Sequence, residues 1–322
     1  MAAKPARARM NINPTVATIA IATTLAISAA ASARPVTAGP IVDWGTLNLG
    51  TSTPPSGNYV AIAALEAHGV ALTPSGQVVG WGNDSFGQVS NVPTGTFSAV
   101  GAGYFWSLAL RTNGTLSAWG YNVSGVVSNA PSGTFTSLSA GRLHGVAVST
   151  LGNLVAWGEP IFGKTSVPSG NNFVSVAAGY EHNVALRADG TLTSWGFNAQ
   201  GQVTNTPSGT FRAVAAGAFH SLAIRTDGSI AVWGDLSFGI GNVPAGNDFI
   251  AVAGGHYHNL ALRANGTVVA WGLNDFGQTQ VPAGTYAAIA AGNRFSLAIV
   301  PSPAAGSMFA LASLLAARRR RN

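Results

Sequence analysis

The dipeptide Trp-Gly recurs seven times, beginning at Trp44, Trp81, Trp119, Trp157, Trp195, Trp233 and Trp271, spaced 37 residues once and 38 residues five times. A period that regular marks a repeat architecture, in which one small unit cannot bury its apolar face alone and must stack on copies of itself. One copy, residues 173–196, reads FVSVAAGYEHNVALRADGTLTSWG, and its neighbours at 211–234 and 249–272 read FRAVAAGAFHSLAIRTDGSIAVWG and FIAVAGGHYHNLALRANGTVVAWG.

Within a copy the signals are those of strands. Phe211–Ala216 and Ser221–Arg225 are short β-type runs separated by a glycine-containing turn, and a third run ends at Trp233. Thr226-Asp227-Gly228 separates the second run from the third, and Asn113-Gly114, Asp189-Gly190 and Asn265-Gly266 fill the same slot. Only Gly, Asn and Asp adopt positive φ cheaply there, so the slot is a hairpin. A linker with a Val-Pro pair follows (Val92-Pro93, Val167-Pro168, Val243-Pro244, Val281-Pro282), where proline ends a ladder without orphaning a donor. Each copy is therefore a small antiparallel sheet of three clear strands, with a fourth conceivable in the linker.

The number of copies decides between a ring and an open stack. Six copies are complete, from Tyr59 through Gly272, and the last, residues 286–300, stops after its second strand. Its missing third strand lies at the other end, where Ala38–Gly45 aligns with Asn265–Gly272. Joining the two completes a seventh blade, the closure by which a propeller removes exposed sheet edges. The expected fold is all-β, a seven-bladed β-propeller over residues 38–300.

Composition agrees. Charged residues make up 8% of the 322-residue chain, against roughly 25% in an ordinary soluble domain. That excludes an intrinsically disordered chain. Forty-one Gly and 16 Pro spread along the sequence oppose a helical bundle, and the absence of Cys excludes disulfide scaffolds and thiolate metal sites. The formal charge of +6 sits at the ends: between Pro35 and Ala317 there are eight basic residues against ten acidic ones. No basic stripe exists to release counterions from a polyphosphate, so nucleic acid is rejected as a partner.

The two ends read as addresses. Residues 1–33 combine a basic start, an apolar run from Val16 to Ala30 and the small residues Ala31-Ser32-Ala33, the pattern of a secretory signal peptide. Residues 301–322 follow Val300 with Pro301-Ser302-Pro303, an apolar run Ala304–Ala317 and Arg318–Arg321. Fourteen apolar residues rise only about 21 Å as a helix, short of a ~30 Å hydrocarbon core. The tail resembles the bacterial Pro-Glu-Pro sorting signal, which implies export and removal by a membrane transpeptidase-like enzyme. A plain positive-inside anchor is the second reading. Both place the domain outside the cytoplasmic membrane, at the cell surface or beyond, with membrane contact only through the terminal segments.

The repeat text A-G-x-x-H-(S/N)-L-A-L, D/N-G-x-(L/V)-x-A-W-G and G-Q-x-x-V-P, over about residues 38–300, resembles the regulator-of-chromosome-condensation repeats, which form seven-bladed propellers. The 38-residue unit resembles the secreted bacterial branch, which includes beta-lactamase inhibitor protein II, more than the longer eukaryotic repeat. The resemblance implies a protein-binding propeller. It does not carry over the nuclear exchange activity, because the insertions used for it are missing.

The Trp of Trp-Gly, one per copy, fits blade-to-blade packing, each burying ~150–250 Å². His68, His144, His182, His220 and His258 share one register, but Trp106 and Phe295 hold it in the other copies, which a metal ring would not tolerate. They are expected to pack and to bond the backbone, with no metal and no cofactor. Asp189 and Asp227 are hairpin residues, and no serine sits in a nucleophile elbow. The other acids are Asp43, Glu66, Asp84, Glu159, Glu181, Asp235, Asp248 and Asp275. A surface hydrolase or lyase would need two of them about 5–9.5 Å apart in a cleft, and this is the alternative reading.

Strand parity locates the preferred site. With the first strand of each copy running upward, the A-G-x-x turns and the loops after Trp-Gly share the upper face, and the hairpins line the lower one. The framework repeats, while the x-x pair changes from copy to copy: Glu66-Ala67, Tyr104-Phe105, Arg142-Leu143, Tyr180-Glu181, Ala218-Phe219, His256-Tyr257, Asn293-Arg294. Solvent-facing turns have no packing reason to be aromatic, and Tyr, Trp and Arg anchor interfaces. The candidate partner-binding face is Tyr104, Phe105, Trp106, Arg142, Tyr180, Glu181, Phe219, His256, Tyr257 and Arg294. No residue is assigned a catalytic role. The expected activity is non-catalytic binding of a macromolecule by a monomer, a protein first and a surface glycan second. Phe86, Phe162, Phe238 and Phe276, at one position in the loops after Trp-Gly, are read as blade packing.

Overall fold

The computed structural model describes residues 37–46 and 53–302, so the expected signal peptide and all but the first two residues of the expected tail lie outside it. Among the described residues are 21 strands in seven three-stranded antiparallel sheets. Strand β1 (Ile41–Gly45) comes first. Blade one then holds β2 (Ala61–Leu65), β3 (His68–Leu72) and β4 (Val78–Gly82), and blade two holds β5 (Phe97–Ala102), β6 (Trp106–Arg111) and β7 (Leu116–Gly120). Blade three is β8 (Phe135–Ala140), β9 (His144–Ser149) and β10 (Leu154–Gly158), and blade four is β11 (Phe173–Ala178), β12 (His182–Arg187) and β13 (Leu192–Gly196). Blade five is β14 (Phe211–Ala216), β15 (His220–Arg225) and β16 (Ile230–Gly234), and blade six is β17 (Phe249–Gly254), β18 (His258–Arg263) and β19 (Val268–Gly272). The chain ends with β20 (Ala288–Ala291) and β21 (Phe295–Ile299).

The closure expected from the sequence is present. Strand β1 pairs antiparallel with β21, from Ile41 opposite Ile299 to Gly45 opposite Phe295, so the seventh blade is β20-β21-β1. Among the described residues no fourth strand forms in the linkers. Four of them are tied instead by side chains: Asp84 Oδ1 accepts from the backbone of Val89 and Ser90, and Asn122, Asn198 and Asn274 repeat the cap in blades two, four and six. These caps hold the segment in turns before the Val-Pro pair is reached.

Each hydrophobic cluster spans two neighbouring blades. Leu108 and Leu110 of blade two, for example, pack with Phe135, Leu138 and Trp157 of blade three. The seven Trp rings are all buried, and the indole N–H of Trp119, Trp157, Trp195, Trp233, Trp271 and Trp44 donates to the backbone carbonyl of Gln88, Val126, Lys164, Gln202, Ile240 and Gln278 in the preceding blade. Burying such a ring is worth roughly 4–6 kcal/mol by area, and in these six the one polar atom is paired at the same time. The innermost strands converge on the axis, where Ala, Gly and Ser predominate (Ala63, Gly101, Ser139, Ala178, Ala216, Gly254, Ala291). Small side chains are required there: a Cβ on Gly254 would lie 2.5 Å from the backbone nitrogen of Gly217.

The register histidines go beyond the expected backbone bonds. Each has a side-chain partner in the next blade, and His182 and His258 also bond the backbone of His220 and Phe295. The Nε2 of His68, His144, His182, His220 and His258 meets Ser107, Asn183, Ser221, Asn259 and Ser296 at 2.7–3.0 Å. The partner is always the residue that follows the next blade's register position, which is the S/N of the repeat text. Where the register residue is Trp106 or Phe295, the following blade has Gly145 or Gly69 at that place. The side-chain partner is absent where no imidazole needs it, and the Trp106 indole reaches the carbonyls of Gly141 and Arg142 instead.

Candidate functional site

The two loop sets of the upper face are joined by backbone. In every blade the residue after Trp-Gly donates its N–H to the carbonyl of the second variable residue, as Asn83 to Ala67, Tyr121 to Phe105 and Thr46 to Arg294, at 2.8–3.0 Å. This fixes each x-x turn against the loop of its own blade, while backbone bonds such as Tyr180 N–H to the Ala218 carbonyl and His256 N–H to the Gly292 carbonyl link neighbouring turns.

Across it runs a connected path of nine rings. Tyr121 lies 4.5 Å from Phe86, Phe86 5.3 Å from Phe105, and Phe105 4.2 Å from Tyr104. Tyr104 reaches Tyr180 edge-on at 6.2 Å, and Tyr180 lies 5.6 Å from Phe219 and 5.0 Å from His256. His256 stacks on Tyr257 at 4.3 Å, and Tyr257 meets Phe238 at 4.9 Å. Phe162 and Phe197 form a separate pair at 4.8 Å. Each such contact is worth about 0.5–1.5 kcal/mol beyond area burial, so the rings hold one another in place before any partner arrives.

The centre of the path is tied by polar bonds. The Tyr180 hydroxyl of blade four donates to Glu66 Oε2 of blade one at 2.6 Å, and Asn293 Nδ2 donates to Glu66 Oε1 at 2.9 Å. The Asn293 amide oxygen in turn meets His256 Nδ1 at 2.8 Å. Burial, and then the Glu66 carboxylate, hold the Tyr180 phenol far above its usual pKa, so it remains a donor. Burial likewise lowers the pKa of His256.

One charged island interrupts the aromatic surface. The Lys164 side chain is fully buried, and its ammonium donates to Glu159 Oε2 at 2.6 Å and to Glu181 Oε2, while Arg142 Nη1 bonds Glu181 Oε1 at 3.2 Å. In the other blades the position of Lys164 holds Gln88, Val126, Gln202, Ile240 and Gln278. Glu159 and Glu181 are thus a pair of carboxylates that does converge, on a cation that occupies one oxygen of each.

The ten candidate residues divide accordingly. Tyr104, Phe105, Phe219, His256 and Tyr257 lie half-buried in the ring path, Arg142 is exposed with its guanidinium 5.4 Å from the Tyr104 ring, and Arg294 lies over Phe276 at 4.2 Å. Tyr180 and Glu181 share the face but are buried by the bonds described. Trp106 is the correction. It is 0% exposed, because it starts β6 in the histidine register and its ring fills the space between blades two and three.

Phe86, Phe162 and Phe238 are 44%, 56% and 56% exposed, so three of the four rings read as blade packing are surface residues. Phe162 and Phe238 also have φ of 61° and 56°, which an aromatic residue rarely adopts. The signal was present in sequence. Their loops carry Pro160 and Leu236 where blades one, two, four and six carry the capping Asp84, Asn122, Asn198 and Asn274. Without the cap the loop tightens into a single 3-10 turn, Ile161–Gly163 or Ser237–Gly239, which tips the ring outward.

Comparison with known proteins gives the fold a context. The model described as Regulator of chromosome condensation (RCC1) repeat matches residues 60–88, 173–202, 211–240 and 249–278. The unmatched copies are the one with Trp106 in the histidine register, the one with Pro160 and Lys164, and the one split between the two ends. No curated protein matches the sequence. Among solved structures, Prp20p from Saccharomyces cerevisiae, described with its binding to Gsp1p and histones, is similar with a TM-score of 0.70 and 18% identity over 85% of this chain and 94% of that one. Yeast RCC1 (Prp20) bound to Kap60 gives 0.71 and 19% over 94% and 96%, and human WBSCR16 gives 0.67 and 16% over 82% and 100%. In architecture this chain is a seven-bladed propeller like these structures, and four of its seven copies match the RCC1 repeat.

Proposed function

We propose that the chain is an exported, non-catalytic binding module whose upper face holds a protein partner. The observation that carries this reading is the nine-ring path, edged by the exposed Phe86 and Phe238, on a face whose backbone is cross-bonded in every blade. Pre-ordered aromatic side chains lose little entropy on binding and supply large contact areas. A partner needs about 800 Å² on each side for a standard interface, which a seven-sector face can present. The structural neighbours described with Gsp1p, histones and Kap60 support a protein over a glycan as the partner class. Export and surface location rest on the two terminal sequence patterns. The hydrolase reading is set aside because Glu159 and Glu181, the carboxylates that meet, neutralise Lys164.

The test is cross-linking on intact cells that express the full chain, followed by identification of the adducts. Replacing Phe86, Phe162, Phe238 and Tyr257 together by Ala should remove a protein adduct that an Arg187→Ala control on the lower face retains. Adducts unchanged by the four substitutions, or present only on polysaccharide, would overturn the reading.

A further inference from the structure

The seventh blade has a chain break where every other blade has a hairpin. Val300 donates its N–H to the Pro40 carbonyl at 2.9 Å and Ser302 to the Ala38 carbonyl at 3.1 Å, so the described chain enters and leaves side by side on the lower face. The apolar run Ala304–Ala317, followed by Arg318–Arg321, begins two residues after Ser302. Two extended residues span at most about 7 Å, so whatever receives that run lies directly under the hairpins. Strands of five or six residues separate the two faces by roughly 17–20 Å, and the loops add to this.

Charge is partitioned in the same sense. The hairpin side carries Arg111, Arg187, Arg212, Arg225 and Arg263 against Asp189, Asp227 and Asp248, a net of plus two. The upper side carries Arg142, Lys164 and Arg294 against Glu66, Asp84, Glu159, Glu181, Asp235 and Asp275, a net of minus three, and the tenth acid, Asp43, lies midway along β1 and belongs to neither face. Near an anionic surface the first is attracted and the second repelled within a Debye length of about 10 Å.

We infer that the hairpin face is the membrane-proximal surface of this protein, seated against anionic lipid by the short tether at Ser302, and that the aromatic face is thereby held outward toward its partner. This rests on the second reading of the tail, a retained membrane anchor, since a tail removed after export would leave no tether at Ser302. It adds an orientation that the tail sequence by itself does not specify.

The chain contains no Cys, so single labels can be placed without background. The full chain carrying Ser75→Cys in a lower hairpin, or Ser85→Cys in an upper loop, is labelled with a donor dye and bound to vesicles of mixed phosphatidylcholine and phosphatidylglycerol bearing a headgroup acceptor. Energy transfer from the Ser75→Cys variant is expected to exceed that from the Ser85→Cys variant at least twofold, and binding to phosphatidylcholine alone should be several-fold weaker. Binding with equal or reversed transfer would overturn the orientation while leaving membrane attachment intact. Equal binding to both lipids would overturn the anionic preference. No binding to either vesicle would overturn the membrane reading itself, and the orientation with it.

Discussion

The Tyr180 hydroxyl donates to the Glu66 carboxylate at 2.6 Å, joining blade four to blade one. The two residues are 114 positions apart in sequence, and the bond crosses the axis of the ring. A hydrogen bond to a charged acceptor contributes about 1.5–3 kcal/mol when its loss leaves the acceptor poorly solvated. Tyr180→Phe should therefore lower the free energy of urea unfolding by about 2 kcal/mol, with the fold retained because Asn293 still donates to Glu66. An unchanged unfolding midpoint would show that water replaces the hydroxyl without loss.

The histidine ladder predicts a pH dependence with a definite sign. Burial lowers the pKa of His68, His144 and His220 from 6.5 to about 4, and of His182 and His258 to about 3. The unfolded chain therefore binds protons more readily than the folded one between about 6.5 and the folded values. Stability is full above about pH 6.5 and falls as the pH drops toward 4, by an amount on the order of 1 kcal/mol per pH unit for each histidine that titrates. Urea midpoints measured from pH 8 to pH 4 should be flat and then decline. Replacing His182 by Phe, the residue that Phe295 provides in blade seven, should make the decline shallower.

Lys164 is a buried charge held by two carboxylates, in a position where three other blades use Gln. Lys164→Gln removes the cation but leaves Glu181 buried and Glu159 beside it, an arrangement that costs about 3–5 kcal/mol. The set used by blades one and two at the same junction is Gln88, Asn83 and Phe105, with the Gln88 amide donating to Asn83 Oδ1 at 2.8 Å. Lys164→Gln combined with Glu159→Asn and Glu181→Phe should recover most of the loss in denaturant titrations. If the triple variant is no more stable than the single one, the island is not exchangeable with the neutral junction.

Phe162 and Phe238 separate stability from binding. Their left-handed backbone costs an ordinary L-residue about 1–2 kcal/mol, and Asn tolerates it better. Phe162→Asn and Phe238→Asn should leave unfolding unchanged or raise the stability by up to about 1 kcal/mol, while weakening cross-linking to the partner. A residue kept only for packing would show the opposite, with lower stability and unaltered cross-linking.

These cases show what could be read from sequence. The Trp-Gly period, the hairpin dipeptides and the complementary ends specify blades, face parity and closure, because each depends on local periodicity that seven copies repeat. What stayed hidden depends on distances between copies. Nothing local says that Tyr180 reaches Glu66, that Glu159 and Glu181 meet at Lys164, or that Trp106 turns into the core while its neighbours Tyr104 and Phe105 stay at the surface. The outward tilt of Phe162 and Phe238 was encoded by the loss of a capping Asn or Asp three residues after Trp. That signal is visible only once the cap has been seen to hold the other loops.

The closing blade yields the last prediction. Ile41–Gly45 is hydrogen-bonded to β21 just as β19 is to β18, residue for residue over five pairs. Trp44 occupies the same kind of cluster as the other six Trp residues, and its indole donates to the Gln278 carbonyl at 2.9 Å. The chain break in blade seven is thus energetically equivalent to a cut hairpin, and the ring should tolerate the break elsewhere. Joining Ser302 to Ala38 through a two-residue Asn-Gly turn, and opening the chain between Asp189 and Gly190, moves the break to blade four without removing any strand pair. The permuted domain should unfold in one cooperative transition within about 1 kcal/mol of the parent domain with the same residues, since exposed hairpin tips are the usual sites of tolerated permutation. Removing residues 37–46 from the parent instead leaves β21 an open edge and withdraws Trp44 from its cluster, and should abolish that transition. A permuted domain as unstable as the truncated one would mean that blade four, unlike blade seven, cannot be assembled from two ends.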